Sequence, residues 1–198
     1  PPSCGGIGYY VYNLSKALMQ RGHKITILTR GSWNQGCVLS YFDGIKLYKL
    51  RFLPIYPFHV NIHSIFINNF LKKLPYFDIM HIHSPLVPAI STSALKLVTE
   101  HGTVSSGISN MEMKDGYSIA TKLFSKIFIK QDINVLNNSD MISAVSHSCA
   151  KDICNKYGIN TKIYVVSNGV DTNTFIPAEK VSSEKYVLYT GRLDSRKG

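Results

Sequence analysis

Two segments at opposite ends of the chain carry residues suited to binding phosphate. Gly5 and Gly6 lie in a glycine-rich loop that leads into a helical pattern, and such a loop lets backbone N–H groups approach a phosphate closely. Arg192 and Lys197 lie in a basic, glycine-flanked turn, and cationic side chains neutralise phosphates. The alternative for the two glycines is a tight turn that contacts no ligand.

The glycine loop only half matches the dinucleotide fingerprint G-x-G-x-x-G. Val11 stands where the last glycine should be, and Thr29 and Arg30 stand where an acidic residue should bind the ribose. These departures argue against a nicotinamide cofactor. An NADP-binding reductase that uses Arg30 is kept as an alternative function.

Three histidines are candidates for chemistry. His101 follows an apolar strand and precedes Gly102, so its side chain can face a ligand, although a lone histidine is more often structural. His81 and His83 lie two residues apart and suggest a metal site, but no cysteine or carboxylate cluster completes a tetrahedral set. We therefore predict no metal.

The charge balance indicates an anionic partner. The chain carries 22 Lys and Arg against 12 Asp and Glu, a formal net charge of +10, which fits a phosphate-bearing ligand, nucleic acid or an anionic membrane. No aromatic RNA-binding strand, zinc-finger spacing or arginine-rich run is present, so we predict no nucleic acid. Lys122, Lys126 and Lys130 recur on one face of a predicted helix, which favours a solvated face or, alternatively, contact with anionic lipid.

Hydrophobic patterning predicts an α/β fold in which a mostly parallel, Rossmann-like sheet has helices on both faces. After a first helix from residue 7 to residue 21, the predicted strands are 23–28, 46–52, 78–83, 95–100, 141–145, 162–166 and 185–188, and the predicted helices are 61–74, 117–136 and 148–157. Ligands of such sheets bind beyond the carboxyl ends of the strands. The turns at residues 5–6, 83–84, 101–102, 146 and 168–169 fall there, with Ser146 expected as a helix N-cap and residues 168–171 as an Asx-type turn.

Three regions follow from this patterning. Residues 1–170 form the sheet domain, residues 171–184 form a polar interdomain linker that contains Pro177, and residues 185–198 begin a second domain that is cut short. Both ends of the chain look cut from a longer protein. The four cysteines form no C-x-x-C pair, which predicts reduced, mostly buried thiols and a cytosolic location.

Seven motifs, taken in order, resemble the retaining glycosyltransferases of family 4. They are residues 2–8 (PSCGGIG), 17–23 (ALMQRGH), 78–84 (DIMHIHS), 99–102 (TEHG), 144–146 (AVS), 167–171 (SNGVD) and 191–198 (GRLDSRKG). The resemblance covers nearly the whole chain. It implies the N-terminal half of a GT-B fold without its first strand, followed by the first strand and loop of the C-terminal domain.

The resemblance also implies a site. Gly5 and Gly6 would lie against the diphosphate of a nucleotide-sugar donor, His101 would reach the transferred sugar near its reacting carbon, and Arg192 with Lys197 would clamp the diphosphate. The family needs no metal, so no cofactor is expected beyond the donor substrate.

The function that we expect is transfer of a hexose, with retention, to a glycolipid or polysaccharide acceptor by the full-length protein. Residues 52–74 and 103–116 would shape the acceptor pocket. The protein would be cytoplasmic, with peripheral contact at the inner face of the cell membrane, and the 198-residue chain alone would be inactive. The alternative is a non-catalytic Rossmann-like module that binds an anionic ligand or a membrane surface.

Overall fold

The computed structural model describes residues 5–31, 37–50, 64–83, 90–106, 119–177, 185 and 187–190. Several of the segments named above therefore fall wholly or partly outside the described residues. Among them are the turn with Arg192 and Lys197, both predicted acceptor stretches and the second half of the predicted linker.

The described part of the chain contains both helices and strands, as the patterning predicts. The helices are α1 (Gly6–Gln20), α2 (Ser64–Leu71), α3 (Ile119–Asn137) and α4 (His147–Tyr157), and the strands are β1 (Thr26–Arg30), β2 (Val38–Phe42), β3 (Ile45–Leu50), β4 (Ile79–His83), β5 (Leu95–Glu100), β6 (Met141–Ala144) and β7 (Ile163–Val165).

The four later strands form one parallel sheet in the order β4-β5-β6-β7. Adjacent residues of a strand point to opposite faces, and Val98 and Thr99 of β5 are both buried. The sheet is therefore covered on both faces, as expected for a parallel sheet. This arrangement confirms the predicted Rossmann-like α/β class.

The earlier strands form a separate three-stranded sheet in the order β1-β3-β2. β1 pairs with β3 in parallel, whereas β2 and β3 form an antiparallel hairpin that the sequence reasoning missed. The hairpin turns at Asp43 and Gly44, both with positive φ, at 48° and 77°. An Asp-Gly pair between apolar runs is a strong hairpin signal, so the sequence did contain the information.

The core lies between the four-stranded sheet and its helices. Val98, Ala144 and Ile153 are fully buried there, together with residues of α2 and α3 such as Ile67 and Leu136. Cys149 is also buried, but Cys37 and Cys154 are exposed. The expectation of mostly buried thiols is therefore wrong for two of the three cysteines in the described part of the chain.

Helix α4 has both of its predicted end signals. The hydroxyl of Ser146 accepts a hydrogen bond from the Cys149 backbone N–H at 3.1 Å, which confirms Ser146 as the N-cap. Gly158 ends the helix in the left-handed conformation, with φ at 66°. Nothing lies within 4 Å of a Cβ placed on this glycine, so only its backbone conformation requires glycine.

Contacts divide the chain into two compact units, Pro1–Ser167 and Asn168–Gly198. In the second unit an Asx-type turn forms at residues 171–174, three residues after the predicted position at 168–171, because the Asp171 carboxylate accepts bonds from the Asn173 N–H and the Thr174 hydroxyl. The predicted strand at residues 185–188 is not seen: residues 185 and 187–190 belong to no helix or strand. The predicted domain boundaries themselves stay a prediction.

Replacing Ser146 by Ala should destabilise the fold by about 1 kcal/mol, because the first turn of α4 loses its capping acceptor. Ser148→Ala is the matched control, since Ser148 is exposed in the same helical turn. Urea unfolding of both variants checks this expectation. Equal stability of the two variants would show that the cap contributes nothing.

Candidate active site

The candidate site is built at the carboxyl ends of β4 and β5. His83 is the last residue of β4 and pairs in register with Thr99, so His101 comes just beyond the end of β5. Gly102 follows with φ at 152°, a conformation that residues with a Cβ rarely adopt. The chain therefore turns directly after His101, and the imidazole stays at the edge of the sheet.

Helix α1 contacts this edge through an aromatic side chain. The Tyr10 ring packs edge-on against His101 and His83, with ring centroids 4.8 Å and 5.5 Å apart. Tyr10 lies four residues after Gly6, one helical turn or about 6 Å along the axis. The structure thus brings Gly5 and Gly6 to the same end of the domain as His101, through a residue that sequence reasoning missed.

Within the described residues, no side chain caps the start of α1. Gly5 is the N-cap, and the first turn contains no acidic residue. Both Gly5 and Gly6 are exposed, and a Cβ at either position would meet nothing within 4 Å. Packing therefore does not require these glycines, whereas close approach of an anion to the first backbone N–H groups of the helix would.

His81, His83 and His101 form a cluster with Tyr10, called the histidine cluster below. The His81 and His83 rings are in tilted contact, with centroids 3.9 Å apart, and Nδ1 of His83 lies 3.4 Å from Nε2 of His101. A hydrogen bond between two imidazoles requires one of them to accept, so at least one of this pair is neutral. The contact orients the His101 ring from the side of the sheet.

A hydrogen-bond chain connects His81 to the interior of the sheet. Nε2 of His81 lies 2.7 Å from the Thr99 hydroxyl oxygen, which lies 2.6 Å from the Ser143 hydroxyl oxygen. Each hydroxyl can donate or accept, so the chain fits either tautomer of His81. These contacts fix the position of the His81 ring.

Burial keeps the cluster uncharged. Loss of solvation lowers the pKa of His81 to about 4 and that of His83 to about 3, and repulsion between the imidazolium forms adds to both effects. Burial also lowers the pKa of His101 below its ordinary value. Near neutral pH these side chains can position a sugar hydroxyl by hydrogen bonding, but they offer no positive charge.

A second polar group lies under the opposite face of the same strand. Glu100 neighbours His101 in sequence but points the other way, towards Asp132 of α3, which accepts a hydrogen bond from the Tyr157 hydroxyl. Glu100 and Asp132 are 1% and 0% exposed. The only sequence signal was an acid at the end of an apolar strand and another in an amphipathic helix.

Elsewhere in the described residues, no groove, metal-binding group or membrane-spanning helix forms a second candidate active site. A groove of about 340 Å³ lies near the amino ends of β4 and β5, at the opposite edge of the sheet, and is lined by Leu74, Pro75, Tyr76, Phe77, Ser91 and Ser93. Within the described ranges, no three His, Cys, Asp or Glu side chains are arranged to hold a metal ion. No helix in the part of the chain that the structure describes is long and apolar enough to cross a bilayer.

Known proteins resemble the chain along its whole length. A human phosphatidylinositol N-acetylglucosaminyltransferase subunit is 26% identical over 100% of this chain and 40% of its own length. The GPI3 subunit of the same transferase from Saccharomyces cerevisiae strain YJM789 is 24% identical, with 45% of its length covered. The counterpart of the human protein in Arabidopsis thaliana is 24% identical, with 44% covered. The chain therefore spans less than half the length of these relatives.

The family comparison covers most of the described part of the molecule. The model of Glycosyltransferase Family 4 matches residues 4–174, which include the glycine loop, the histidine cluster and the whole four-stranded sheet. The resemblance seen in the sequence motifs is thereby confirmed. The chain belongs to glycosyltransferase family 4.

Proposed function

We propose that the full-length protein transfers a sugar from a nucleotide-sugar donor to a lipid acceptor to form a glycolipid, with retention at the anomeric carbon and without a metal. One observation carries this proposal. The start of α1, which has no side-chain cap, and the uncharged histidine cluster lie at the same edge of a family 4 sheet. The first feature suits a diphosphate and the second suits a sugar.

The donor diphosphate would lie at the start of α1. Backbone N–H groups after Gly5 and Gly6 would donate to it, and Arg192 and Lys197 would add positive charge. The leaving group of the reaction is a nucleoside diphosphate whose negative charge grows as the glycosidic bond breaks. Fixed donors and cations stabilise that charge without reorganising, which is a large source of rate enhancement.

His101 would contact the transferred sugar near its reacting carbon. A neutral imidazole can accept from or donate to a sugar hydroxyl, and it does not repel the positive charge that develops on the sugar ring in an oxocarbenium-like transition state. Tyr10 and His83 fix its ring in place. Its role is therefore to orient the sugar rather than to supply charge.

The relatives suggest the substrates. Their names specify transfer of N-acetylglucosamine to phosphatidylinositol and describe them as subunits, so we propose the same sugar, this lipid as acceptor, and assembly with other subunits. Exposed Lys126 and Lys130 on α3 would face the anionic lipid headgroups. The protein would then act at the cytoplasmic face of a membrane.

The proposal is tested by incubating the full-length protein with nucleotide-activated N-acetylglucosamine and vesicles that contain phosphatidylinositol. We expect a glycolipid whose first-formed anomer, identified by NMR, keeps the donor configuration. An inverted anomer would exclude retention. Binding of vesicles or nucleotide without turnover would favour the non-catalytic module.

His101→Ala should lower kcat on the order of a hundredfold while donor affinity changes little, because a contact to the reacting sugar matters most in the transition state. His23→Ala is the control, since His23 is exposed in the turn after α1. Steady-state kinetics with varied donor concentration separate the two parameters. Unchanged kcat in His101→Ala would make this histidine a structural residue.

The histidine cluster should add no ionisation to the activity profile at or above pH 6.5. Its pKa values are lowered from the ordinary 6.5, so these residues stay neutral as the pH falls through that value and protonate only in more acidic solution. Profiles of kcat/KM for the parent and for His101→Ala check this. A step near pH 7 that disappears in the variant would contradict the neutral cluster.

A further inference from the structure

Two buried side chains, one on α3 and one on α4, accept hydrogen bonds from the backbone N–H groups of residues 104 and 105, shortly after His101. The Val104 N–H donates to Oδ2 of Asp132 at 3.3 Å, and the Ser105 N–H donates to the Tyr157 hydroxyl at 3.2 Å. The Tyr157 hydroxyl in turn donates to the same oxygen of Asp132. We call Asp132 and Tyr157 the brace. It ties residues 104–105 to α3 and α4 at once.

The next residue is held at the surface of α4. The Ser106 hydroxyl donates to Oδ2 of Asp152 at 2.6 Å, and Nζ of Lys156 donates to the Ser106 oxygen at 2.8 Å. Asp152 and Lys156 also form an ion pair at 3.3 Å. Three consecutive residues after the turn at Gly102 therefore each have a bond to a helix side chain.

Burying Asp132 of the brace beside Glu100 costs free energy, so stabilisation of the core does not explain this arrangement. Both oxygens of Glu100 and Oδ1 of Asp132 are buried, and no donor reaches them among the described residues while both acids are ionised. Burial raises the pKa of both acids, that of Glu100 to about 9, with repulsion from Asp132 adding to the effect. The pair therefore keeps a proton near neutral pH, and this proton can bridge the two carboxyl groups.

Among the described residues, no cation has a contact with the pair. Tyr157 donates to Asp132 from α4, and the Cys149 thiol, also on α4, donates to the Glu100 carbonyl at 3.6 Å. Lys156 of the same helix is paired with Asp152. Apolar residues of similar size would often stabilise such an interior equally well or better. These bonds therefore supply a fixed backbone position for residues 104 and 105 rather than a gain in the stability of the fold.

We propose that Asp132 and Tyr157 are positioning residues for the site. They fix residues 102–106 on the face of β5 that carries Glu100, while Tyr10 and His83 contact the His101 ring on the other face. His101 is thus confined from both faces of β5. The catalytic consequence of the brace rests on the proposed transferase function, whereas its structural consequence does not.

The test uses Tyr157→Phe in the full-length protein, because this change removes only the hydroxyl. Amide hydrogen exchange should become about tenfold faster in the segment from residue 102 to residue 106, since the Ser105 bond is lost and the bond to Asp132 loosens. Amides of β5 should keep their protection. Asp132→Leu, which removes both acceptor oxygens at similar size, should give the same pattern, and Tyr76→Phe, at an exposed tyrosine, is the matched control.

Kinetics provide the second measurement. Both brace variants should lower kcat about tenfold or more with donor KM nearly unchanged, because a displaced His101 loses transition-state contacts first. Unchanged exchange at residues 102–106 in a folded Tyr157→Phe protein would overturn the brace. Faster exchange with unchanged kcat would overturn its positioning role. If the parent shows no transferase activity, the proposed function fails while the exchange result still decides the brace.

Discussion

The parallel pairing of β4 with β5 is the interaction on which the rest of the candidate site depends. It puts His83 beside Thr99 and brings His101 to the same edge. Alternation along β5 then sends Thr99 and His101 to one face and Val98 and Glu100 to the other. A shift by one residue would exchange the two layers, moving the histidines into the acidic interior.

Loss of solvation favours the uncharged form of the side chains on both faces of β5, although it shifts their pKa values in opposite directions. It disfavours the charged form of an imidazole and lowers its pKa, and it disfavours the charged form of a carboxyl group and raises its pKa. The centre of the domain thus contains several ionisable groups near β5 while carrying little charge. Attraction of the anionic donor that we propose would therefore come from the helix N-terminus and from the scattered basic residues of a chain with net charge +10.

Local signals in the sequence predicted the local parts of the fold. Period and end residues indicated α1, α2, α3 and α4 to within a few residues, and β5 to the residue, because hydrophobic spacing, Ser146 and Gly158 act over one or two turns of chain. The helical residues 104–106 were not predicted. The β2–β3 hairpin was missed although Asp43 and Gly44 signal it. The motifs also identified the family, since an ordered set of weak signals is far more specific than any one of them.

The contacts across the site could not be read from the sequence. Tyr10 resembles any aromatic residue on a helix stripe, and nothing in the spacing of Glu100, Asp132 and Tyr157 indicates that they meet, because three separate elements must fold first. His101 was identified as a candidate, but its neutral state depends on burial that only the packed structure shows. Gly5 and Gly6 are placed near it by Tyr10, whereas Arg192 and Lys197 lie outside the described residues.

The left-handed Gly158 connects a surface position to this interior. It is exposed and touches no part of the site, yet it immediately follows Tyr157 and determines where the last turn of α4 ends. Most other residues, Asn and Asp least, would strain the backbone at that point, and relief of the strain would shift the helix end that carries Tyr157. A substitution at this glycine in a related chain would therefore alter the proposed turnover through Tyr157. A map of conserved surface residues would suggest only solvent contact at this position.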